Sequence, residues 1–270
     1  MELTVVGTGR MGAAFVKRAA QLGHKVYAWN RTRGKLEGLP ATPISRPSEA
    51  RGPVAVFVAD DEALLSLVDE MGGDAVFLMG TYSLAGAAAA RRALAARGIG
   101  VLASPIVGGP GNVERGDAIY IVGGDAEVYS RYSKLFAELG RIMHVGEFEK
   151  AVVLKLAYNS LLIGTVAVLG EAASMAAAHG IPPSQFKELL SQTIFKEIGS
   201  VYIDRMYSNE PGTFALRHAG KDVRYATAAA AGRSSTVVLS AVRSLYEMLE
   251  VLGYGDSYYI RAGILESKRK

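Results

Sequence analysis

The apolar positions of the chain fall into two regimes. In the first half, short β-branched runs alternate with segments of helical spacing. "LTVVG" ends on a glycine, and "GRMGAAFVKRAAQLG" follows with apolar residues at helical intervals up to Gly23. "HKVYAWN" alternates as a strand. "PVAVFVAD" reads as a buried strand with the helix "DEALLSLVDEM" behind it, and "DAVFLMG" as another strand before an Ala-rich helix over 84–97. Two more strands are predicted at "GVLASPIVG" and "DAIYIVGG", then the helix "AEVYSRYSKLFAELG" and the strand "RIMHVG". Strands alternating with helices predict a parallel, doubly wound α/β sheet of the Rossmann type.

The second regime has no strand period. One long helix is predicted from residue 147 to residue 179, stopped by Gly180 and the pair Pro182-Pro183. "PSQFKELLSQT", "IGSVYIDRMYS", "LRHAGKDVRYATAAAAG" and "STVVLSAVRSLYEML" then read as further helices. The expected organisation is an α/β domain over 1–146 and an all-helical domain over 147–270, joined by the long helix. With 270 residues the chain exceeds the roughly 100–200 of a single core, which agrees with two domains.

Composition narrows the class. Half of the residues are hydrophobic and 21% are charged, as in a folded soluble protein, with disorder expected only in the terminal "SKRK". There is no cysteine, and the histidines form no metal-ligand spacing, so no structural metal is expected. The net charge of +4 is dispersed, which argues against nucleic acid and leaves a phosphate-bearing small molecule as a sufficient acidic partner. "MELTVVGTGR" lacks the pattern of a secretory leader, so the cytoplasm is the expected compartment. The apolar stretch "AVVLKLAYNSLLIGTVAVLG" is long enough to cross a bilayer, but Lys155, Asn159, Ser160 and Thr165 within it and Glu171 after it predict a helix buried between protein surfaces.

The chemistry-bearing residues begin with "GTGRMG": Gly7, Thr8, Gly9, Arg10, Met11 and Gly12 form a GxGxxG turn between a strand and a helix. Its first glycine makes the turn, its second admits a pyrophosphate, and its third lets helix and strand pack, while the helix N-terminus offers unpaired N–H groups. About 20 residues on, where such folds read the adenosine ribose, the next strand ends in "NRTRGK". There is no carboxylate here for two ribose hydroxyls. Asn30, Arg31, Thr32, Arg33 and Lys35 supply donors suited to a 2′-phosphate, which favours NADP, although a solvated basic turn has the same composition.

Lys155 and Asn159 share one face of the long helix at i,i+4. They read either as a snorkelling lysine with a neutral neighbour or as a proton donor with a positioning amide. Desolvation lowers the pKa of an ammonium, and cofactor phosphates would raise it again. Gly108 and Gly109 in "ASPIVGGPG" form either a plain turn or a backbone receptor for a carboxylate. Lys221 and Asp222, adjacent and opposite in charge, read as a solvated helix face, and Thr81 as a strand-end residue.

Taken in order, "VVGTGRMG" with "GHKVYAWNRTRGK", "SPIVGGPGNVERGDAIYIVGG", "VGEFEKAVVLKLAYN" and "FALRHAGKD" resemble the β-hydroxyacid dehydrogenase family, typified by 3-hydroxyisobutyrate dehydrogenase and the semialdehyde reductases, nearly end to end. The resemblance implies Lys155 as catalytic acid/base, Asn159 as a substrate contact, and Thr81 and Lys221 as cofactor contacts near the nicotinamide. It also implies that Val58, Ala59 and Asp60 line the cofactor and that Gly108 and Gly109 hold the substrate carboxylate. The chain departs from the family pattern at Val107, where Ser or Thr is usual, at Gly80, where serine is usual, at Leu84 for a common proline and at Tyr158 for a common asparagine. A lost donor costs about 1–3 kcal/mol in holding a carboxylate.

These features together lead to an expected NADP-dependent oxidoreductase that interconverts a small β-hydroxy acid and its semialdehyde, or reduces a related aldehyde, in a homodimer or homotetramer. An imine reductase is the nearest rival, in keeping with Val107, although that family usually has Asp or Tyr where this chain has Lys155. From another class, a non-catalytic NADP-binding sensor shares the cofactor motif.

Overall fold

The computed structural model describes residues 1–209 and 211–267, so the terminal "SKRK" lies almost wholly outside the described residues. The chain divides into two compact units, Met1–Leu156 and Ala157–Lys270.

The first unit contains a mixed sheet. Its strands are β1 (Glu2–Val6), β2 (Lys25–Trp29), β3 (Thr42–Pro43), β4 (Val54–Val56), β5 (Ala75–Leu78), β6 (Gly100–Ala103), β7 (Ile106–Val107), β8 (Ile119–Gly124) and β9 (Arg141–Gly146). The spatial order is β3-β2-β1-β4-β5-β6-β8-β7, with β9 on β8. From β3 to β6 every pairing is parallel. The expectation of a parallel sheet fails beyond that point: β8 runs antiparallel to both β6 and β7, and only β9 is parallel to it. The stretch "GVLASPIVG", expected as one strand, is two, because Pro105 has no N–H to extend the ladder and the chain turns away at Ser104-Pro105.

The connecting helices are α1 (Arg10–Gln21), α2 (Asp61–Leu65), α3 (Leu84–Ala96), α4 (Pro110–Arg115) and α5 (Ala126–Leu139). Leu3, Val5, Phe15, Val16, Phe77, Leu102, Tyr120 and Phe136 form the centre of the core, with aromatic contacts between Phe77, Tyr132, Phe136 and Tyr120 at 5.0–6.0 Å. The expected helix over 61–71 is a short α2 followed by a separate 3-10 turn at Val68–Glu70.

The long helix α6 spans Phe148–Ala178. The division between units falls within it, after Leu156, rather than at 146/147. Its first turns seat on β8: a Cβ at Gly123 would lie 2.3 Å from the Glu147 carbonyl oxygen and 3.2 Å from Ala151. The helix is long and apolar enough to cross a membrane. Here Phe148, Ala151, Val152, Leu156, Ile163, Val166, Ala167 and Ala173 are buried inside the protein, while Leu161, Val168 and Met175 stay exposed.

The second unit adds α7 (Pro183–Ser191), α8 (Lys196–Tyr207), α9 (Leu216–Ala230), α10 (Val237–Leu249) and α11 (Ala262–Ser267). Its core joins Ile163, Val166, Ile203, Met206, Leu216, Val223, Leu249 and Ile260 around Tyr246, whose hydroxyl donates to the Tyr259 carbonyl at 3.0 Å.

Candidate active site

The turn after β1 has the shape the glycine spacing predicts. Gly7 adopts φ +92°, and a Cβ there would sit 2.5 Å from the Phe57 carbonyl oxygen. A Cβ on Gly12 would come within 1.9 Å of the Gly7 oxygen, so helix and turn touch at that point. Gly9, the N-cap of α1, has no heavy atom within 4 Å of its Cβ position. Crowding at the first and third glycines with open space at the second is the arrangement a bound pyrophosphate needs. Arg10 is exposed beside the turn, and Met11 packs on the core.

Thr8 and Asn30 clasp this turn to the one after β2. The Thr8 N–H donates to Asn30 Oδ1 at 2.9 Å, its hydroxyl donates to the Lys35 carbonyl at 3.0 Å, and Asn30 Nδ2 donates to the Thr32 carbonyl at 2.9 Å. Both ends of the Asn30 amide and the buried Thr8 hydroxyl are therefore engaged within the protein. Arg31, Thr32, Arg33 and Lys35 are exposed on the same turn, where they can meet a phosphate. The donors of the two turns fit the phosphates of a nicotinamide dinucleotide.

After β4, Val58 and Ala59 lead to Asp60, which caps α2 by accepting from the Ala63 N–H at 2.8 Å. Tyr82 crosses to this segment and donates to the Val58 carbonyl at 3.4 Å, and burial pushes its phenol well above the ordinary range. A Cβ at Gly80 would meet the Tyr82 hydroxyl at 2.6 Å. Gly80 is thus the residue that leaves room for Tyr82.

Lys155 lies at the end of the first unit and is 9% exposed. Its Nζ donates to the Ile106 carbonyl oxygen at 2.6 Å. It shares a pocket with Gly80, Thr81, Tyr82, Pro105 and Val152, of about 10 Å³, room for about one water. Two residues singled out separately in the sequence, Thr81 and Lys155, therefore meet. Next to Ile106, Val107 presents an apolar side chain, Gly108 takes φ +133°, and the Gly109 N–H donates to Asn112 Oδ1 at 2.9 Å.

In the second unit, Asn159, Lys221 and Asp222 form a buried polar group. Asn159 Nδ2 donates to Asp222 Oδ2 at 2.6 Å, and Lys221 Nζ lies 2.9 Å from Asp222 Oδ1. The second contact is an ion pair by distance, too poorly aligned for a hydrogen bond. The Lys221 ammonium also stands 4.7 Å from the Tyr225 ring centre. The reading of Lys221 and Asp222 as a solvated face is corrected: they are 7% and 2% exposed.

Sequence reasoning missed the parts played by Tyr82, Asn112 and Asp222. For Asn112 a signal was present, since Gly109-Pro110 followed by a short polar side chain at the third helical position is a helix-start pattern. Asp222 shows its role only through a partner far away in sequence.

A family described as the NAD binding domain of 6-phosphogluconate dehydrogenase matches residues 2–147. The chain is 26% identical to the NAD-dependent L-serine dehydrogenase of Pseudomonas aeruginosa, over 94% of each chain. To the chloroplastic glyoxylate/succinic semialdehyde reductase 2 of Arabidopsis thaliana it is 25% identical, over 93% of this chain and 75% of that one. A solved structure of 3-hydroxyisobutyrate dehydrogenase from Salmonella typhimurium shares the fold with a TM-score of 0.84 at 18% identity, covering 98% of this chain and 99% of the other.

Proposed function

Because the chain belongs to the family defined by the NAD binding domain of 6-phosphogluconate dehydrogenase, we propose that it is an NADP-dependent oxidoreductase that interconverts a small β-hydroxy acid and its semialdehyde, or reduces a related aldehyde, with Lys155 as general acid and base. The observation that carries this reading is the buried Lys155 ammonium, held on the Ile106 carbonyl in a pocket shared with Thr81. A sensor that only binds the cofactor has no use for an ammonium withdrawn from water at that point.

When bound, NADPH supplies the hydride. Gly7, Gly9 and Gly12 with the start of α1 hold the pyrophosphate, and Arg31, Thr32 and Lys35 take the 2′-phosphate. Val58, Ala59, Asp60 and Thr81 line the nicotinamide side. As the carbonyl carbon becomes tetrahedral, Lys155 delivers a proton to its oxygen, and in the reverse direction it takes the proton back. Asn159, whose Nδ2 is committed to Asp222, would contact the substrate, and Lys221 would contact the cofactor.

The test is NADPH oxidation, with NADH as control, against glyoxylate, succinic semialdehyde, methylmalonate semialdehyde and simple aldehydes. Preference for NADPH that is lost in Arg31→Asp supports the cofactor assignment, and equal use of NADH would refute it. That control matters because one relative is NAD-dependent by name.

A second copy of the chain is the partner we assign to the second unit. Leu161, Val168 and Met175 leave an apolar row on α6, and the first two line an apolar groove of about 490 Å³ together with Phe195, Val238 and Leu239. Light scattering on the purified protein decides between a dimer or tetramer, as proposed, and a monomer.

A further inference from the structure

The turn beside the proton donor is already closed by the protein's own amide. A carbonyl oxygen within reach of Lys155 Nζ lies next to Ile106, so its carbon's substituents meet the residues that follow, Val107, Gly108 and Gly109. Val107 offers no donor. The Gly109 N–H, which would otherwise be available to an anion, donates to Asn112 Oδ1 at 2.9 Å. A Cβ at Gly108 would meet the Asn112 Cβ at 3.0 Å, so the exposed turn lies against Asn112 on one side.

The Asn112 amide is fixed in this orientation. Its Oδ1 accepts from the Gly109 N–H, and the Asn112 backbone carbonyl accepts from the Gly116 and Asp117 N–H groups at 3.0 Å, which seats Asn112 at the end of this turn. A substrate carboxylate at this turn would meet the Asn112 amide oxygen and the Val107 isopropyl group, with the Gly109 N–H already engaged. A desolvated carboxylate needs several N–H or O–H partners to stay ionised.

We propose that the substrate presents an uncharged group, not a carboxylate, to the Val107–Gly109 turn, so that this enzyme reduces a neutral aldehyde or ketone. The proposal rests on the reading of Lys155 as proton donor and selects, within it, the related aldehyde over the semialdehyde acid.

The experiment compares substrates of one skeleton that differ only in charge: succinic semialdehyde against its methyl ester, and glyoxylate against methyl glyoxylate, each with NADPH. The expected wild-type result is a kcat/KM at least about tenfold higher for the ester of each pair. In Val107→Ser with Asn112→Gly, which restores a hydroxyl donor and uncovers the Gly109 N–H, the ratio moves at least about tenfold towards the acid. Circular dichroism verifies that the variant is folded, and the wild-type ratio stands as a test even if it is not. Preference of the wild type for the acids overturns the inference while leaving the reductase reading intact, as does a folded variant whose ratio does not move. Reduction of no carbonyl, with NADPH still bound, overturns the reductase reading and the inference with it.

Discussion

Lys155 Nζ and the carbonyl oxygen of Ile106 stand 2.6 Å apart, so this hydrogen bond both aims the ammonium and ties α6 to β7. Lys155→Met keeps much of the side chain's length and apolar stem but removes the proton. Turnover is expected to fall about 100- to 10,000-fold, the usual range for loss of a general acid. NADPH binding, followed by cofactor fluorescence, should stay close to wild type. Arginine is not a substitute, because a guanidinium does not release its proton in the working pH range. Turnover within a few fold of wild type in Lys155→Met would remove the lysine from the mechanism.

The glycines of the first turn separate fold from function. Gly12→Ala drives a methyl group into the Gly7 carbonyl, 1.9 Å away, and overpacking of this kind costs about 1–3 kcal/mol or more. Gly9→Ala meets nothing within 4 Å, and its φ of −64° suits any residue. The expected outcome is a lowered melting temperature for Gly12→Ala. Gly9→Ala should melt as wild type but bind NADPH at least about tenfold more weakly by titration calorimetry, a loss of about 1.4 kcal/mol. Unchanged NADPH affinity in Gly9→Ala would mean that the open space at Gly9 is not where the cofactor sits.

Local signals made the first half of the fold readable. The β1 turn and α1 combine apolar period, glycine spacing and helix start within about 20 residues, which is the scale on which sequence patterns act. The single strand expected at "GVLASPIVG" failed at Pro105, where a missing N–H outweighs the apolar run. The antiparallel setting of β8 depends on which sheet edge is free, and the chain around β8 carries no mark of that. Periodicity sets Asn159 on one face of α6 with Lys155, and both are buried, but the bond of Asn159 to Asp222 spans 63 positions. Adjacent opposite charges such as Lys221 and Asp222 look the same in water or in a core, and only the packing of α9 decides between them.

Asp222 sits between Asn159 and Lys221, and both lose an interaction when it is removed. Asp222→Ala leaves a buried ammonium without its counter-charge and an amide without its acceptor. Breaking a buried pair from one side costs about 3–5 kcal/mol. Asp222→Asn keeps an acceptor oxygen for Asn159 and should be milder. Chemical denaturation of the three proteins checks the order wild type, Asp222→Asn, Asp222→Ala. Equal stability would show that the group is held by its packing and not by its charges.

His24 gives the fold a pH dependence of predictable sign. Burial is the largest influence on its imidazole, the Met1 amino group adds to it, and the Glu138 carboxylate, 3.3 Å from Nε2, opposes both. The net effect is a folded-state pKa below the ordinary 6.5. Between those two values the unfolded chain binds a proton that the folded chain does not, so stability rises with pH through this window. The contribution of the neutral ring is complete above 6.5 and is lost as pH falls through the lower, folded value. His24→Gln, which cannot be protonated there, should flatten the slope of melting temperature between about pH 7 and about pH 5. A slope that is unchanged would assign the acid sensitivity to other groups, and a steeper one would mean that the imidazolium is stabilised by Glu138 more than burial opposes it.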